Sequence, residues 1–381
     1  MKQLMSQRIN VSRFLAILIA LSSFSCKTEI KEVEIATVSK SVLGLLEPKD
    51  TLMNYDIGLK KLSEYNFFKQ PLKNLEPIDE NIIPYEMNSP LFTDYASKQR
   101  FIALPEETQI KYTSQGVLDF PKGTILIKNF YYQDNELTTG NGDVIIETRL
   151  LISDKETGEW TALPYIWNEE QTEAYLYILG KDLELDIDIA GKSDRNLKFT
   201  YSVPNTNMCK NCHVKNKVLV PLGPTARQLN RNNNFHNSEV NQLSYLKDQE
   251  KMVGLGAIDT APKIPYYHNQ EFSLDERARA YLDVNCAHCH QEGGSAKTSG
   301  LHLSYEETDM YRLGLNKAPV AAGQGSGNLS FGIVAGKPEA SILLYRMKHL
   351  EPEIVMPEIG KNTLHEEGIK LIEEWITSLS N

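Results

Sequence analysis

Two copies of the pattern Cys-x-x-Cys-His constrain this chain more than any other feature of its sequence. Two thiols three positions apart can form thioethers with the two vinyl groups on one edge of a porphyrin, and the histidine that follows can then bind the iron. The pattern therefore predicts covalent attachment of two haem c groups. The predicted attachment and iron-binding residues are Cys209, Cys212 and His213 in the first motif, and Cys286, Cys289 and His290 in the second.

The N-terminus has the features of an export signal. Basic residues precede the apolar run Phe14–Leu21, which is too short to span a bilayer as a permanent helix. Small residues then lead to Cys26, in a stretch that resembles a lipoprotein cleavage box. We therefore expect a signal peptide over 1–25 and lipidation of Cys26, with simple secretion as the alternative. Acylation of one residue needs further acyl chains or contacts for stable anchoring.

The cysteine count agrees with this assignment. The chain has five cysteines, which supply one for a lipid and two for each haem and leave none for a disulfide. A competing interpretation is a zinc site built from the four cysteines of the two motifs, or two CxxC pairs of the disulfide type. Neither explains why a histidine follows each pair.

The 381 residues divide into five segments by pattern. Residues 82–205 contain short β-rich runs, such as 124–130 and 144–152, separated by turn signals, which favours an antiparallel β-sandwich. No Cys or His occurs between Lys27 and Met208, so this segment lacks the usual ligands of zinc, copper and iron. The predicted segments are a signal peptide (1–25), a lipid-anchored tether with a short helix (26–81), a β-sandwich-like domain (82–205), a first haem-binding segment (206–264) and a C-terminal domain (265–381).

The C-terminal domain is predicted to be all-α. Ser273 and Glu276 form a capping-box pattern ahead of a helix over 274–284, which leads directly into the second motif. Thr363, with Glu366 as its partner, is expected to cap a last helix that carries one apolar stripe.

This C-terminal layout resembles a class I cytochrome c over residues 265–381. A first helix ends in the CxxCH motif, a Met-Pro loop follows, and a final helix with an aromatic residue crosses the first. The resemblance implies His290 and Met356 as the axial ligands of the second haem. A thioether sulfur favours ferrous iron and raises the reduction potential. The rival candidates for the sixth position are Met310, Met347, His302, His349 and His365.

Further stretches relate the whole chain to a known family. They are Tyr85–Ala96, Glu147–Leu150 and Tyr165–Asn168, together with the two motifs. These residues make the chain similar to a family of exported bacterial di-haem c-type cytochromes. The resemblance implies a multidomain architecture, a mainly-β N-terminal domain followed by a cytochrome c domain, with two haems. It also suggests a parallel β-helix protein as a partner, because members tend to occur beside one. The sixth ligand of the first haem stays open between His236, Met252 and Met208.

Single-electron transfer in the cell envelope is the function these features favour. Two alternatives remain: a di-haem enzyme of the peroxidase type that uses the first haem as an open site, and a binding module whose β domain docks a partner or carbohydrate. We expect an exported protein, periplasmic or an outer-membrane lipoprotein, held to a membrane by its lipid and paired with redox proteins of the envelope. The formal net charge of −10 argues against nucleic acid as a partner.

Overall fold

An antiparallel sheet of six strands forms the centre of the N-terminal region. The structure, a computed structural model, describes residues 58–133, 143–188, 196–320 and 323–380. The predicted signal peptide, Cys26 and most of the predicted tether lie outside these residues. The strands of the region are β1 (Ile82–Tyr85), β2 (Ser97–Ala103), β3 (Ile110–Lys111), β4 (Ile125–Tyr132), β5 (Val144–Ser153), β6 (Trp160–Trp167), β7 (Ala174–Leu176), β8 (Lys181–Asp188) and β9 (Asn196–Val203). The sheet order is β1-β2-β4-β5-β6-β7.

Alternation along the strands buries both faces of this sheet. Successive side chains of a strand point to opposite faces. On β4, Ile127 packs on one face with Leu163 and Trp167 of β6. Leu126 and Phe130 of the same strand pack on the other face, each in a separate cluster. The sheet therefore needs a covering layer on each side.

A hairpin formed by β8 and β9 covers part of the second face. Leu183 and Leu185 of β8, with Tyr201 of β9, are buried together with Phe130 of the sheet. Acidic residues alternate with these leucines, and the described ones, Glu184 and Asp186, are at least partly exposed. The alternation of apolar and acidic residues is thus the pattern of a half-buried strand.

Residues 206–264 cover the rest of that face. Their elements are α1 (Thr206–His213), β10 (Val214–Lys215), β11 (Val218–Leu219), α2 (Ala226–Leu229), β12 (Asn232–Phe235), β13 (Ser238–Asn241), α3 (Gln242–Asp248) and β14 (Met252–Val253). Leu229, Leu243 and Leu246 share one core with Ile102 and Leu126 of the sheet. The first motif, which lies on α1, is therefore held against the sheet by its own segment.

The C-terminal region is built from three α-helices, α4 (Leu274–Leu282), α5 (Ile342–Met347) and α6 (Glu366–Ser378). A turn of π-helix, Asp283–Ala287, continues α4 into the second motif. Short 3-10 turns complete the described helical structure. They are Leu62–Tyr65, Leu72–Asn74, Ile258–Thr260, Lys297–Ser299, Gly323–Ser326 and Pro338–Ala340.

Helices α4 and α6 cross closely. The indole Nε1 of Trp375 on α6 donates to Asp275 Oδ1 on α4 at 2.8 Å. A Cβ atom at Gly368 would overlap the ring of Tyr281, so only glycine allows this approach. The crossing fixes the orientation of α4 and therefore the position of the second motif, which follows this helix.

The structure confirms a mainly-β N-terminal region with an antiparallel sheet, followed by helices. The predicted β runs 124–130 and 144–152 correspond to β4 and β5, and the capping box of α4 is present. The predicted cap of the last helix was wrong. Helix α6 begins at Glu366, and the Thr363 hydroxyl instead donates to Asp94 Oδ1 at 3.0 Å. Within the part of the chain that the structure describes, no helix combines the length and apolar character needed to cross a membrane.

Candidate functional site

The two CxxCH motifs meet in space. The ligand atoms of Cys212, His288 and Cys289 all lie within 4.8 Å of one another. The thiol of Cys289 also contacts the carbonyl oxygen of Asn211, with Sγ and O 3.4 Å apart. The fold thus brings the second cysteine of each motif side by side, although the two are far apart in sequence.

Helix α4 and its π-helical extension place the second motif. The extension carries Cys286, and the His290 N–H donates to the Cys286 carbonyl at 3.0 Å. This hydrogen bond continues the helical turn through the motif. Residues four apart on a helix share one side, so the thiol and the imidazole are presented in the same direction.

A cavity of about 730 Å³ lies on that side. The two cysteines of the motif, His290 and Met356 all line it. Much of the remaining wall is apolar and includes Leu301, Leu303, Leu313, Ile333, Ile342 and Leu343. A large apolar cavity with a few converging donor atoms is typical of cofactor sites. Among its lining residues, Cys286, Cys289, His290 and Met356 offer the two thiols, the imidazole and the thioether that a haem c needs.

The tautomer of His290 follows from its neighbours. Its Nδ1 lies 3.0 Å from Ser299 Oγ, whose own proton is donated to the Ala296 carbonyl at 2.8 Å. The hydroxyl therefore accepts from Nδ1–H, which leaves Nε2 as the unprotonated nitrogen. Iron-binding histidines are usually oriented by a hydrogen bond at the other ring nitrogen, and this ring has one.

His213 of the first motif is oriented in the same way. Its Nδ1 lies 2.9 Å from the carbonyl oxygen of Val220, which can only accept. Nδ1 is therefore the protonated nitrogen, and Nε2 is again left for a metal. Helix α1, which carries this motif, has no buried residue, although its segment packs on the sheet. The motif residues Cys209, Cys212 and His213 are only partly covered, which leaves surface on which a haem can lie.

Burial sets the charge states of these groups. It lowers the pKa of both His213 and His290 to about 4, so each imidazole is neutral at neutral pH, the form that binds metal. Burial also raises the pKa of the Cys286 thiol to about 12. The hydrogen bond between Cys212 and Cys289 lowers the pKa of the Cys289 thiol. In a chain without haem, Cys289 is therefore the more reactive thiol of its motif.

Lys361 holds the loop that carries Met356. Its ammonium donates to the carbonyl oxygens of Met347 at 2.6 Å, Met356 at 3.2 Å and His349 at 3.5 Å. The side chain is buried, and burial lowers its pKa to about 8. One cation thus ties the end of α5 to the Met-Pro loop, whose Met356 lines the cavity.

Some of the candidate sixth ligands of the second motif lie at the cavity and others do not. Of the rivals to Met356, Met347 and His365 line the cavity. The ring of His365 stacks on Phe92 at 4.1 Å between centroids, and its Nδ1 lies 3.1 Å from the hydroxyl of Tyr281. The other candidates, Met310, His302 and His349, are not among the lining residues.

The candidate sixth ligands of the first motif are scattered. Met252 lies on β14 inside the core shared with the sheet, and His236 is exposed at the tip of the β12–β13 hairpin. Met208 lies on α1, directly before the first cysteine. A ring nitrogen of His288, from the second motif, lies within 4.8 Å of the Cys212 sulfur of the first motif.

The four-cysteine zinc site is not assembled as the competing interpretation requires. The cluster that the described residues form consists of Cys212, Cys289 and His288. Cys209 packs toward the sheet core and Cys286 toward the helical core.

Residues 85–96 join the regions around the site, a role that sequence reasoning missed. Phe92 lines the cavity, and its N–H donates to Asn285 Oδ1 at 2.9 Å. Asp94 Oδ1 accepts from the amides of Asn362 at 2.7 Å and Thr363 at 2.8 Å. Asp94 and Tyr95 both adopt positive φ, a strained conformation that persists where surroundings enforce it. The signal was present, since these residues carried the resemblance to di-haem cytochromes.

Comparisons with protein-family models, with curated proteins and with solved structures found no match.

Proposed function

We propose that this protein is a c-type cytochrome that transfers single electrons through two covalently attached haems. The observation that carries the proposal is the meeting of the two motifs, with Cys212 beside Cys289. Thioether attachment at these cysteines would place one edge of each porphyrin at the same place in the folded molecule. Adjacent redox groups suit an electron carrier, because an electron can pass directly from one group to the other.

The surroundings of the second motif support this role. Haem iron supplies a one-electron couple when it is bound. His290 and Met356 both line the cavity, and the tautomer of His290 leaves its Nε2 free to bind iron. Lys361 holds the Met356 loop in place through the Met356 carbonyl. Two protein ligands would fill both axial positions and exclude substrate, which favours electron transfer over catalysis. A class I cytochrome c-like organisation of 265–381 and a sandwich-like organisation of 82–205 are part of the proposal.

The proposed location is the cell envelope. Haem is attached covalently on the exported side of the membrane, in agreement with the predicted signal peptide and lipidated Cys26. We propose envelope redox proteins as partners, with a parallel β-helix protein as a further one. The family assignment as a di-haem cytochrome has the same status.

The haem content tests the proposal directly. Protein purified from a host competent in cytochrome maturation should contain two covalent haems per chain, measured by a pyridine haemochrome assay with intact mass. Cys286→Ser with Cys289→Ser should remove one haem, and Cys209→Ser with Cys212→Ser should remove the other. Colourless protein with four alkylatable thiols would end the proposal.

An enzymatic role for the first haem is a second candidate. The burial of Met252 favours it, because a thioether that packs in the sheet core is not free to bind iron. A high-spin signal in the ferric protein, together with reaction with peroxide, would support this candidate. A fully low-spin spectrum without peroxide reactivity supports the electron carrier.

A thiolate metal site is the candidate that requires no haem. Cys212, His288 and Cys289 offer two sulfurs and one nitrogen, a donor set that suits zinc. It predicts about one zinc per haem-free chain, lost on His288→Ala and retained on Cys209→Ser. Metal analysis of both variants, beside the haem count, separates the candidates.

A further inference from the structure

A group of four cationic side chains lies on the sheet face that carries the first motif. Arg100 of β2 faces Lys128 of β4, and Lys128 faces Arg149 of β5, so three cations stand in a row across adjacent strands. Lys98 lies two positions before Arg100 and hence on the same face. We name these four residues the basic cluster. Like charges at directly facing positions destabilise a sheet, so the row requires a compensating group.

Carboxylates compensate only part of the basic cluster. Glu147 forms a bidentate pair with Arg149, with N–O distances of 2.5 and 2.9 Å. Glu86 lies 3.5 Å from Arg100. Among the described residues, no carboxylate pairs with either lysine of the cluster. When all four side chains are protonated, two paired carboxylates leave an excess of two positive charges.

Both lysines are poorly solvated and lack a carboxylate partner among the described residues, although the Lys98 ammonium donates to the Ala96 carbonyl at 2.6 Å. Lys98 and Lys128 are only partly exposed, and their ammonium groups lie 5.9 and 4.7 Å from the centroid of the buried Phe130 ring. Burial, with repulsion from Arg100 and Arg149, lowers the pKa of Lys98 to about 7. Charged groups removed from water without an opposite charge are unfavourable, so an anion in contact with the two ammonium groups would stabilise the fold.

The basic cluster extends away from the first motif. Helix α1 contacts β6, the neighbour of β5, so Arg149 is the nearest member. Its charge acts on Cys209, and the charges of Arg149 and Lys128 act on His213. Neighbouring strands lie about 4.8 Å apart, which puts Arg100 about 10 Å further across the sheet. The cluster thus begins beside the motif and ends a considerable distance from its cysteines.

A haem attached through its vinyl groups carries its two propionate carboxylates on the opposite edge of the ring. We propose that the basic cluster binds the propionates of a haem attached at Cys209 and Cys212. This inference rests on the proposed function. It names Lys98 and Lys128 as positioning residues, because the two propionates would balance the two positive charges that have no carboxylate partner. The shared chemistry is carboxylate recognition, so a free dicarboxylate is the rival occupant.

The test is the reduction potential of each haem in the full-length di-haem protein. Lys128→Gln should lower the potential of one haem, because an uncompensated propionate charge favours ferric iron. Lys215→Gln is the matched control, since it removes the same charge near the first motif from an exposed position, where solvent screens it. Its potentials should stay unchanged. Lys98→Gln should shift the same haem in the same direction, and it carries the test if Lys128→Gln does not fold.

Succinate binding, measured by calorimetry, separates the two carboxylate sources. The di-haem protein should not bind succinate, whereas a Cys209→Ser, Cys212→Ser chain should bind it and lose it on Lys128→Gln. Succinate binding to the di-haem protein would overturn the inference. Equal shifts, or none, for Lys128→Gln and Lys215→Gln would also overturn it. In either case a haem count of two leaves the proposed function intact, whereas a count below two counts against both.

Discussion

At the residue scale, hydrogen bonds around a few side chains decide what the site can hold. The Ser299 hydroxyl accepts from Nδ1–H of His290, and the Val220 carbonyl accepts from Nδ1–H of His213. Both imidazoles therefore keep Nε2 unprotonated and able to bind a metal. The sequence predicted His213 and His290 as ligands from spacing alone. It could not predict their hydrogen-bond acceptors, because these come from loops whose paths depend on the whole fold.

Met356→Ala tests whether Met356 is the sixth ligand of the proposed second haem. Loss of the thioether should lower that haem's reduction potential and open its iron to carbon monoxide. Potentiometric titration and the carbon monoxide difference spectrum measure these effects. Met310→Ala is the control, because Met310 lies outside the cavity lining and should leave both unchanged. If Met347→Ala reproduced the shift and Met356→Ala did not, Met347 would be the ligand.

Ser299→Ala should move the same potential in the opposite direction. A hydrogen bond from Nδ1–H makes the imidazole a more basic ligand and favours ferric iron, so its removal should raise the potential. Ser326→Ala is a suitable control, because its hydroxyl donates to the Gly323 carbonyl at 2.9 Å in a turn that does not line the cavity. A lowered potential in Ser299→Ala would contradict the assigned tautomer.

At the element scale, the crossing of α4 and α6 orients the second motif. The capping box and the apolar stripe could be read from the sequence, because they depend on local spacing. The start of α6 could not, because Thr363 is drawn away from a capping role by Asp94, which is distant in sequence. The basic cluster was missed for a related reason, since its members come from three strands whose register is not local.

Gly368→Ala should destabilise the crossing. The added methyl group overlaps the Tyr281 ring, and overpacking of this kind costs about 1–3 kcal/mol. Denaturant unfolding measures the free energy of unfolding. Lys370→Ala on the exposed side of α6 should change it by less than about 0.5 kcal/mol. Equal stability of Gly368→Ala and the unchanged protein would show that the helices are not in close contact.

At the scale of the whole molecule, residues 85–96 connect the β region to the helical region. Asp94 is the main link, because its Oδ1 accepts from two backbone amides and one hydroxyl next to the Met356 loop. Phe92 adds a wall to the cavity from the β side. The second site is therefore completed by a segment from outside the C-terminal region, which a domain-by-domain interpretation of the sequence does not predict.

Asp94→Ala should loosen this connection. The amides of Asn362 and Thr363 would lose their acceptor, at about 1–3 kcal/mol for each buried group left unsatisfied. Hydrogen exchange of the peptide that spans 355–365 should become faster. Asp94→Asn retains Oδ1 as an acceptor and should preserve most of the protection. Unchanged exchange in Asp94→Ala would place the stability of this loop elsewhere, for example in Lys361.

The contact between Cys212 and Cys289 has a consequence for biogenesis. Under the proposed function, an attachment enzyme would have to reach two sulfurs that lie side by side in the folded chain. If haem is attached as proposed, we expect loading to precede the meeting of the two motifs, while the nascent polypeptide is still open. A chain that closes too early would be trapped empty, with two neighbouring sulfurs ready to oxidise to a cross-link.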